Sequence, residues 1–247
     1  MRKDQISALL QHAQKDLLQI EAQYQKALEE QTISTSLQID IKNMMENLRS
    51  VLDYLANDIY DNVLMPARKA TGEKEIQNIY FPYGKTENDF KSGLGKSLPQ
   101  LDSLQPTLYK IIEGIQPHKS GNDWLYQFCQ ILNEKKHNTL SPQKREEKRG
   151  LDIRFSGGAG ISMGPGASIS GGGIIQSGSD RIILNNDFIS GDSPARNVSG
   201  GVIQTVVQWV SFKFADTGVE VLPLLKKSLE TIEQLSKDIY LEINEER

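Results

Sequence analysis

The chain is poor in the residues that most catalytic and metal-binding signatures require. Cys129 is the one cysteine in 247 residues, so no internal disulfide can form, which suits a reducing compartment. The only histidines are His12, His118 and His137, and with Cys129 they offer no metal-ligand spacing, so neither a structural metal nor a cofactor is expected. "GISMG" at 160–164 spells a Gly-x-Ser-x-Gly elbow around Ser162. Pro165 and Gly166 follow where a helix should start, and no histidine lies beyond 137, which argues against a serine hydrolase. "YGKT" (83–86) and "LGKS" (94–97) resemble the ends of phosphate loops, but Ile79 and Phe90 stand where the first glycine should, and both stretches read as exposed turns with a lysine. No apolar run approaches membrane-spanning length, and the start of the chain lacks the apolar core of a signal peptide, so a cytoplasmic protein without a membrane partner is expected. Charge of one sign is also missing. With 28 Lys plus Arg against 32 Asp plus Glu, the net charge of -4 leaves no overall basic field, so any nucleic-acid site must be local.

What is present is periodicity. Ile6, Leu10, Ala13, Leu17, Ile20, Tyr24 and Ala27 repeat in steps of four and three, the seam of a long helix. Ser and Thr caps in "QTISTS" (31–36) precede a second stripe, Leu37, Ile41, Met44, Leu48, Val51 and Leu55, that runs on to Pro66. Two such helices joined by a short turn predict an antiparallel hairpin. Glycines and prolines break the chain from 82 to 99, and two shorter helices follow: one on Leu108, Ile111, Ile112 and Ile115, the other on Trp124, Leu125, Phe128, Ile131 and Leu132, capped by Asn122 or Asp123.

From about 150 the period changes to two. "LDIRF" sets Leu151, Ile153 and Phe155 on one face, "DRIILNNDF" alternates over a turn, and "VIQTVVQWVSFKF" puts Val206, Val210, Phe212 and Phe214 opposite Val207 and Trp209. A final helix carries Leu225, Leu229, Ile232, Leu235 or Ser236, and Ile239, and can pack on the sheet or return to the bundle. The expected fold is therefore α+β: a helical bundle over 1–145, and over 146–247 a small antiparallel, glycine-rich sheet with the last helix.

The polar residues of "ENLRSVLDYLAND" (46–58) pose the functional question. On a helical wheel centred on Leu48, Arg49 and Asp53 fall on one side of the stripe and Tyr54 on the other, all turned away from the hairpin seam. Arg49 and Asp53 are four apart and can pair. "NLRSVLDYLA" resembles a stretch found in uncharacterised bacterial helical proteins, where Asn-Leu-Arg-Ser-x-Leu-Asp-His-Leu-Ala is followed by Phe-Pro, Gln-Pro and Lys-His. Here the later elements are Phe81-Pro82, Gln116-Pro117 and Lys136-His137. The first element is also similar to the Arg-spacer-His signature of the HEPN superfamily. That resemblance, over residues 40 to 140, implies an RNA-directed or defence-associated module. Many HEPN proteins are metal-independent endoribonucleases that act as dimers. It implies catalytic roles for Arg49 and Asp53 and binding roles for Asn47 and Lys136. The signature histidine is replaced by Tyr54, a phenol whose reference pKa near 10 makes it a poor base, so His137 becomes the candidate for proton transfer.

Plainer readings stand beside these. Asn47, Arg49, Asp53, Lys136 and His137 can form a hydrogen-bonded clasp between helices, and this outweighs catalysis. The glycine-rich stretch, with nine glycines in residues 156–178, can hold a ligand against its backbone. Strand ends with tight turns, or a mobile loop, are favoured because the strand-to-helix context of glycine motifs is missing. "EKKHNTLSPQKREEKR" (134–149) reads as a solvated linker rather than an RNA-binding patch. The sequence thus leads to two functional expectations. One is a HEPN-like, RNA-directed module, active or degenerate, forming a homo-oligomer through its bundle. The other is a non-enzymatic protein that binds a partner or small ligand through its sheet.

Overall fold

A computed structural model describes residues 1–30, 32–134, 143–215 and 217–245. The chain divides into a helical unit, Met1–Lys144 with Lys213–Arg247, and a β unit, Arg145–Phe212. The α+β class expected from the periodicities is the one observed.

The helical unit begins with α1 (Lys3–Glu30) and α2 (Thr35–Ile59). Ile6, Ala13, Ile20, Tyr24 and Ala27 are buried on α1, while Leu10 and Leu17 of the same stripe are only half-buried. The Ser34 hydroxyl caps α2 by accepting the Leu37 N–H at 3.1 Å. Every residue of the predicted α2 stripe is buried, and so are Met45, Leu52, Ala56 and Ile59 beside it. The wider apolar face exists because α2 touches α8 and α9 as well as α1. Pro66 does not stop the chain. A π turn, Tyr60–Leu64, leads without a break into α3 (Met65–Thr71), which has Pro66 as its second residue; the wider turn makes room for the proline ring and the bond its missing N–H cannot donate.

Five short helices follow: α4 (Glu87–Ser97), α5 (Leu101–Leu104), α6 (Pro106–Gly114), α7 (Pro117–Ser120) and α8 (Trp124–Glu134). "LGKS" is not an exposed turn. It lies inside α4, with Leu94 and Ser97 buried, because a capping box at Thr86 and Asp89 starts a helix that carries Gly93 and Gly95 along. At the start of α8 the Asn122 carboxamide accepts the Trp124 N–H at 3.0 Å, and the Asp123 carbonyl accepts the Gln127 N–H at 2.9 Å.

In the β unit, β1 (Gln143–Arg154), β2 (Gly160–Met163) and β6 (Ile203–Phe214) form one sheet in the order β2-β1-β6. β3 (Ser168–Ser177), β4 (Asp180–Ser190) and β5 (Val198–Ser199) form a second in the order β3-β4-β5. Its core joins Leu151, Ile153, Phe155 and Met163 to Ile182, Leu184 and Ile189. Two expectations are corrected. "DRIILNNDF" is one strand, not a turn between two, because a register shift opposite Ser170/Gly172 absorbs the irregular alternation. The second half of the charged linker belongs to β1, where Arg145 pairs with Glu147 and Lys148 with Glu146, opposite charges two residues apart on one strand face. The glycine-rich stretch is built of β2, β3 and their turns. Buried Asp180 accepts the Ser156 N–H at 2.6 Å, its hydroxyl at 2.7 Å and the Gly201 N–H at 2.7 Å, bonds that hold its carboxyl below the usual range.

The last helix, α9 (Val221–Glu245), contacts α1, α2, α6 and α8. It belongs to the helical unit rather than to the sheet as the 146–247 division expected. Leu225, Leu229, Ile232, Leu235, Ser236 and Ile239 are all buried, a stripe broad enough to seat between several helices. Among the described residues no helix is long and apolar enough to cross a membrane.

Candidate functional site

The polar stripe of α2 organises the site. Asp53, Asn57 and Tyr60 are spaced four and three apart, so they share one helix face, and each ties down the extended segment 76–81. Asp53 Oδ1 accepts the Phe81 N–H at 2.8 Å, Asn57 Nδ2 donates to the Ile79 carbonyl at 3.1 Å, and the Tyr60 hydroxyl accepts the Ile76 N–H at 2.7 Å. Asn78, at φ 59°, makes the bend within this segment, a left-handed geometry that asparagine tolerates.

Between α2, this segment, α4 and the end of α8 lies a cleft of about 780 Å³, within the range of small-ligand pockets. Glu46, Arg49, Ser50 and Asp53 line it from α2, Tyr80 to Tyr83 from the segment, Lys96 and Ser97 from α4, and Leu132 and Asn133 from α8. A second groove of about 620 Å³, between α1 and α9, is largely apolar; Gln14 and Glu233, both in its lining, hydrogen-bond to each other.

Arg49 is the centre of the cleft's polar wall. Its Nε donates to Asp53 Oδ2 at 3.3 Å, its Nη2 lies 3.2 Å from Asp53 Oδ1, and its Nη1 donates to Cys129 Sγ at 2.8 Å. The guanidinium also sits over the Tyr83 ring, 5.3 Å from its centroid, a cation–π contact. Burial works against the charge, but the Cys129 sulfur and the Asp53 carboxylate outweigh it, and the Arg49 pKa stands above its ordinary value. Burial pushes the Cys129 thiol up to about 11 against the pull of Arg49, so it is a neutral acceptor and no nucleophile at neutral pH. The Tyr83 hydroxyl, raised by its own burial and by Cys129, accepts from the Asn133 amide.

Buried Gln116 completes the frame. Its Oε1 accepts the Gly84 N–H, and its Nε2 donates to the carbonyls of Pro82 and Ile112, each at 3.2 Å. Arg49, Asp53, Phe81-Pro82 and Gln116-Pro117, far apart in the chain, therefore meet in one hydrogen-bonded cluster. Gly84 is buried, unlike the exposed turn expected of "YGKT". A Cβ placed there would lie 2.3 Å from the Phe90 amide nitrogen and 2.7 Å from Asp89. Gly84→Ala must push the loop off the first turn of α4, and thermal melts should show a loss of about 2 kcal/mol or more.

Of the residues nominated from sequence, the structure brings Arg49 and Asp53 together in the cleft wall. Asn47 and Tyr54 are half-buried on α2 but do not line the cleft, because a helix that turns Arg49 and Asp53 inward carries those positions round to other sides. The observed clasp runs through Phe81, Cys129 and Tyr83 rather than Asn47. Lys136 and His137 lie outside the described residues. Sequence reasoning missed Tyr80, Tyr83, Lys96, Gln116 as a hydrogen-bonding group, and Cys129. The recurrence of Asp53, Asn57 and Tyr60 on one face was the signal available for the cluster.

The chain matches no protein-family model, no curated protein and no solved structure.

Proposed function

We propose that the cleft binds single-stranded RNA and that the chain is an RNA-directed module of HEPN-like type. The observation that carries this reading is the pairing of a fixed guanidinium with open aromatic and cationic groups in one cleft. Arg49 is held by Asp53, Cys129 and Tyr83, while Tyr80 stands 53 % exposed and Lys96 is exposed with no ion pair among the described residues. An open phenol ring suits an unstacked base, and a free lysine suits a phosphate. Arg49 is held at all three guanidinium nitrogens by Asp53 and Cys129, so its positive charge has a fixed place in the cleft wall. The proton-transfer role falls to His137, four residues beyond Asn133 in sequence, and the RNA 2′-hydroxyl supplies the nucleophile.

The test is fluorescence anisotropy with a short labelled single-stranded RNA, followed by incubation with mixed cellular RNA. Binding should weaken with added salt. Tyr80→Ala should weaken it by about 5- to 150-fold, the range for one stacked base, and Lys96→Ala should lower the salt dependence. Cleavage lost in both Arg49→Ala and His137→Ala supports an endoribonuclease, and binding without cleavage supports a non-enzymatic RNA module. Affinity for RNA that neither Tyr80→Ala nor Lys96→Ala changes would overturn the site.

A further inference from the structure

We propose that a second copy of this chain docks on the free edge of β3, fusing two three-stranded sheets into one six-stranded antiparallel sheet. The inference concerns the β unit only and does not depend on the cleft. β3 pairs with β4 alone, since the sheet order is β3-β4-β5. The opposite edge of that sheet is β5, two residues long, and shortness is one of the ways proteins guard an edge. β3 has no such guard: it runs ten residues, "SISGGGIIQS", without a charge or a proline, and Ile174 on it is 58 % exposed. The register shift between Ser170 and Gly172 affects only its first part. From Gly172 to Ser177 it pairs with Asn185 to Asp180 without a break, leaving a continuously paired six-residue template in which Gly173 is at φ 156°.

Hairpin geometry fixes which backbone groups are free. Gly178 and Ser179 form a two-residue turn between the paired Ser177 and Asp180, which makes that flanking pair hydrogen-bonded. Along an antiparallel ladder such pairs alternate with non-bonded ones. Gly172, Ile174 and Gln176 therefore turn their N–H and C=O groups to the free edge. A two-fold axis at Ile174 sets that residue against itself and Gly172 against Gln176 of the second chain, so every one of these groups is paired. Charge favours the identical strand as occupant: in this register the seven uncharged residues 171–177 meet the same seven of the second chain, with no like-charge contact to oppose the two-fold axis. The outward face is self-complementary too. Ile174 is paired with the exposed Ile183 of β4, so the axis lines up four isoleucines across the joined sheet, where neighbouring apolar side chains stabilise one another. A contact of strand edges alone falls in the small class of interfaces, below about 1,200 Å², and the association is accordingly reversible.

The test uses the full chain. Sedimentation velocity over a concentration series should show a monomer–dimer equilibrium. Ile174→Lys places a charge on the axis without touching the core, and should raise the dissociation constant by about tenfold or more with the circular dichroism unchanged. Cys129 is buried, so an added surface thiol is the accessible one. Ile174→Cys should form a covalent dimer under mild oxidation, whereas Ile183→Cys, one strand further from the axis, should form far less. A chain that stays monomeric at the highest concentration overturns the proposal. So does a dimer that Ile174→Lys leaves intact, or a monomer that instead takes up a foreign strand peptide at this edge.

Discussion

Asp58→Ala is expected to destabilise the protein by about 2–4 kcal/mol, a little below the range for breaking a fully buried ion pair because the partner Arg2 is one-third exposed. Asp58 is fully buried in the helical unit, where it accepts the Arg2 backbone N–H at 2.7 Å, Arg2 Nη1 at 2.9 Å and the Tyr240 hydroxyl at 2.6 Å. One carboxylate thus fastens the residue before α1 and the C-terminal part of α9 to the last turn of α2. Its removal leaves the buried Tyr240 phenol without its acceptor and Arg2 with Asp61 as its remaining carboxylate among the described residues. Tyr240→Phe removes a single donor and should cost about 1.5–3 kcal/mol. Urea unfolding of both variants checks the ordering, and a loss under about 1 kcal/mol for Asp58→Ala would show that the cluster is not a fastening point.

The same phenol gives a pH dependence. Burial, and then the bond to Asp58, raises the Tyr240 pKa above its ordinary value. The folded chain keeps that proton after the unfolded chain has released it near pH 10, so the unfolded state binds fewer protons and stability falls as pH rises. The contribution is complete below about pH 10 and is lost progressively above it. Wild-type protein should therefore lose stability above pH 10 more steeply than Tyr240→Phe.

Asp53→Ala should show the second large effect, a loss of about 2–3 kcal/mol, below the fully buried range because both partners are about one-fifth exposed (22 % for Asp53, 19 % for Arg49). The substitution removes the one carboxylate that Arg49 pairs with among the described residues, and it leaves the Phe81 N–H without its acceptor. Asp53→Asn retains an acceptor for Phe81 and should lose less. Equal losses for the two variants in chemical unfolding would show that the charge, not the Phe81 bond, carries the energy. Losses under about 1 kcal/mol for both would show that the wall does not depend on Asp53.

How far the sequence revealed this molecule can be judged residue by residue. The α2 stripe from Leu37 to Leu55 and the alternation of Leu151, Ile153 and Phe155 both announced buried faces, and all are buried. The four-residue spacing announced the Arg49–Asp53 pair, since neighbours on a helix face are fixed by the turn. The extra burial of Met45, Leu52 and Ala56 was not legible, because it arises from α8 and α9 closing on α2 from elsewhere in the chain. For the same reason the final helix could be recognised but not assigned to its unit. Gln116 and Cys129 gave no local sign of their roles: one bonds to residues 32 and 34 positions away, the other to a residue 80 positions away.

The sequence by itself determined the long helices α1, α2 and α9, the shorter α6 and α8, and the alternating face of Leu151, Ile153 and Phe155, because periodicity is a property of neighbouring residues and the backbone repeats on that scale. Only the tertiary structure decided that the final helix returns to the first two, that Phe81, Gln116 and Cys129 gather around Arg49 and Asp53, and that β3 is left with an unpaired edge. Those outcomes depend on which long-range contacts can be satisfied together, with buried polar groups bonded and apolar stripes covered, and no local pattern encodes that choice.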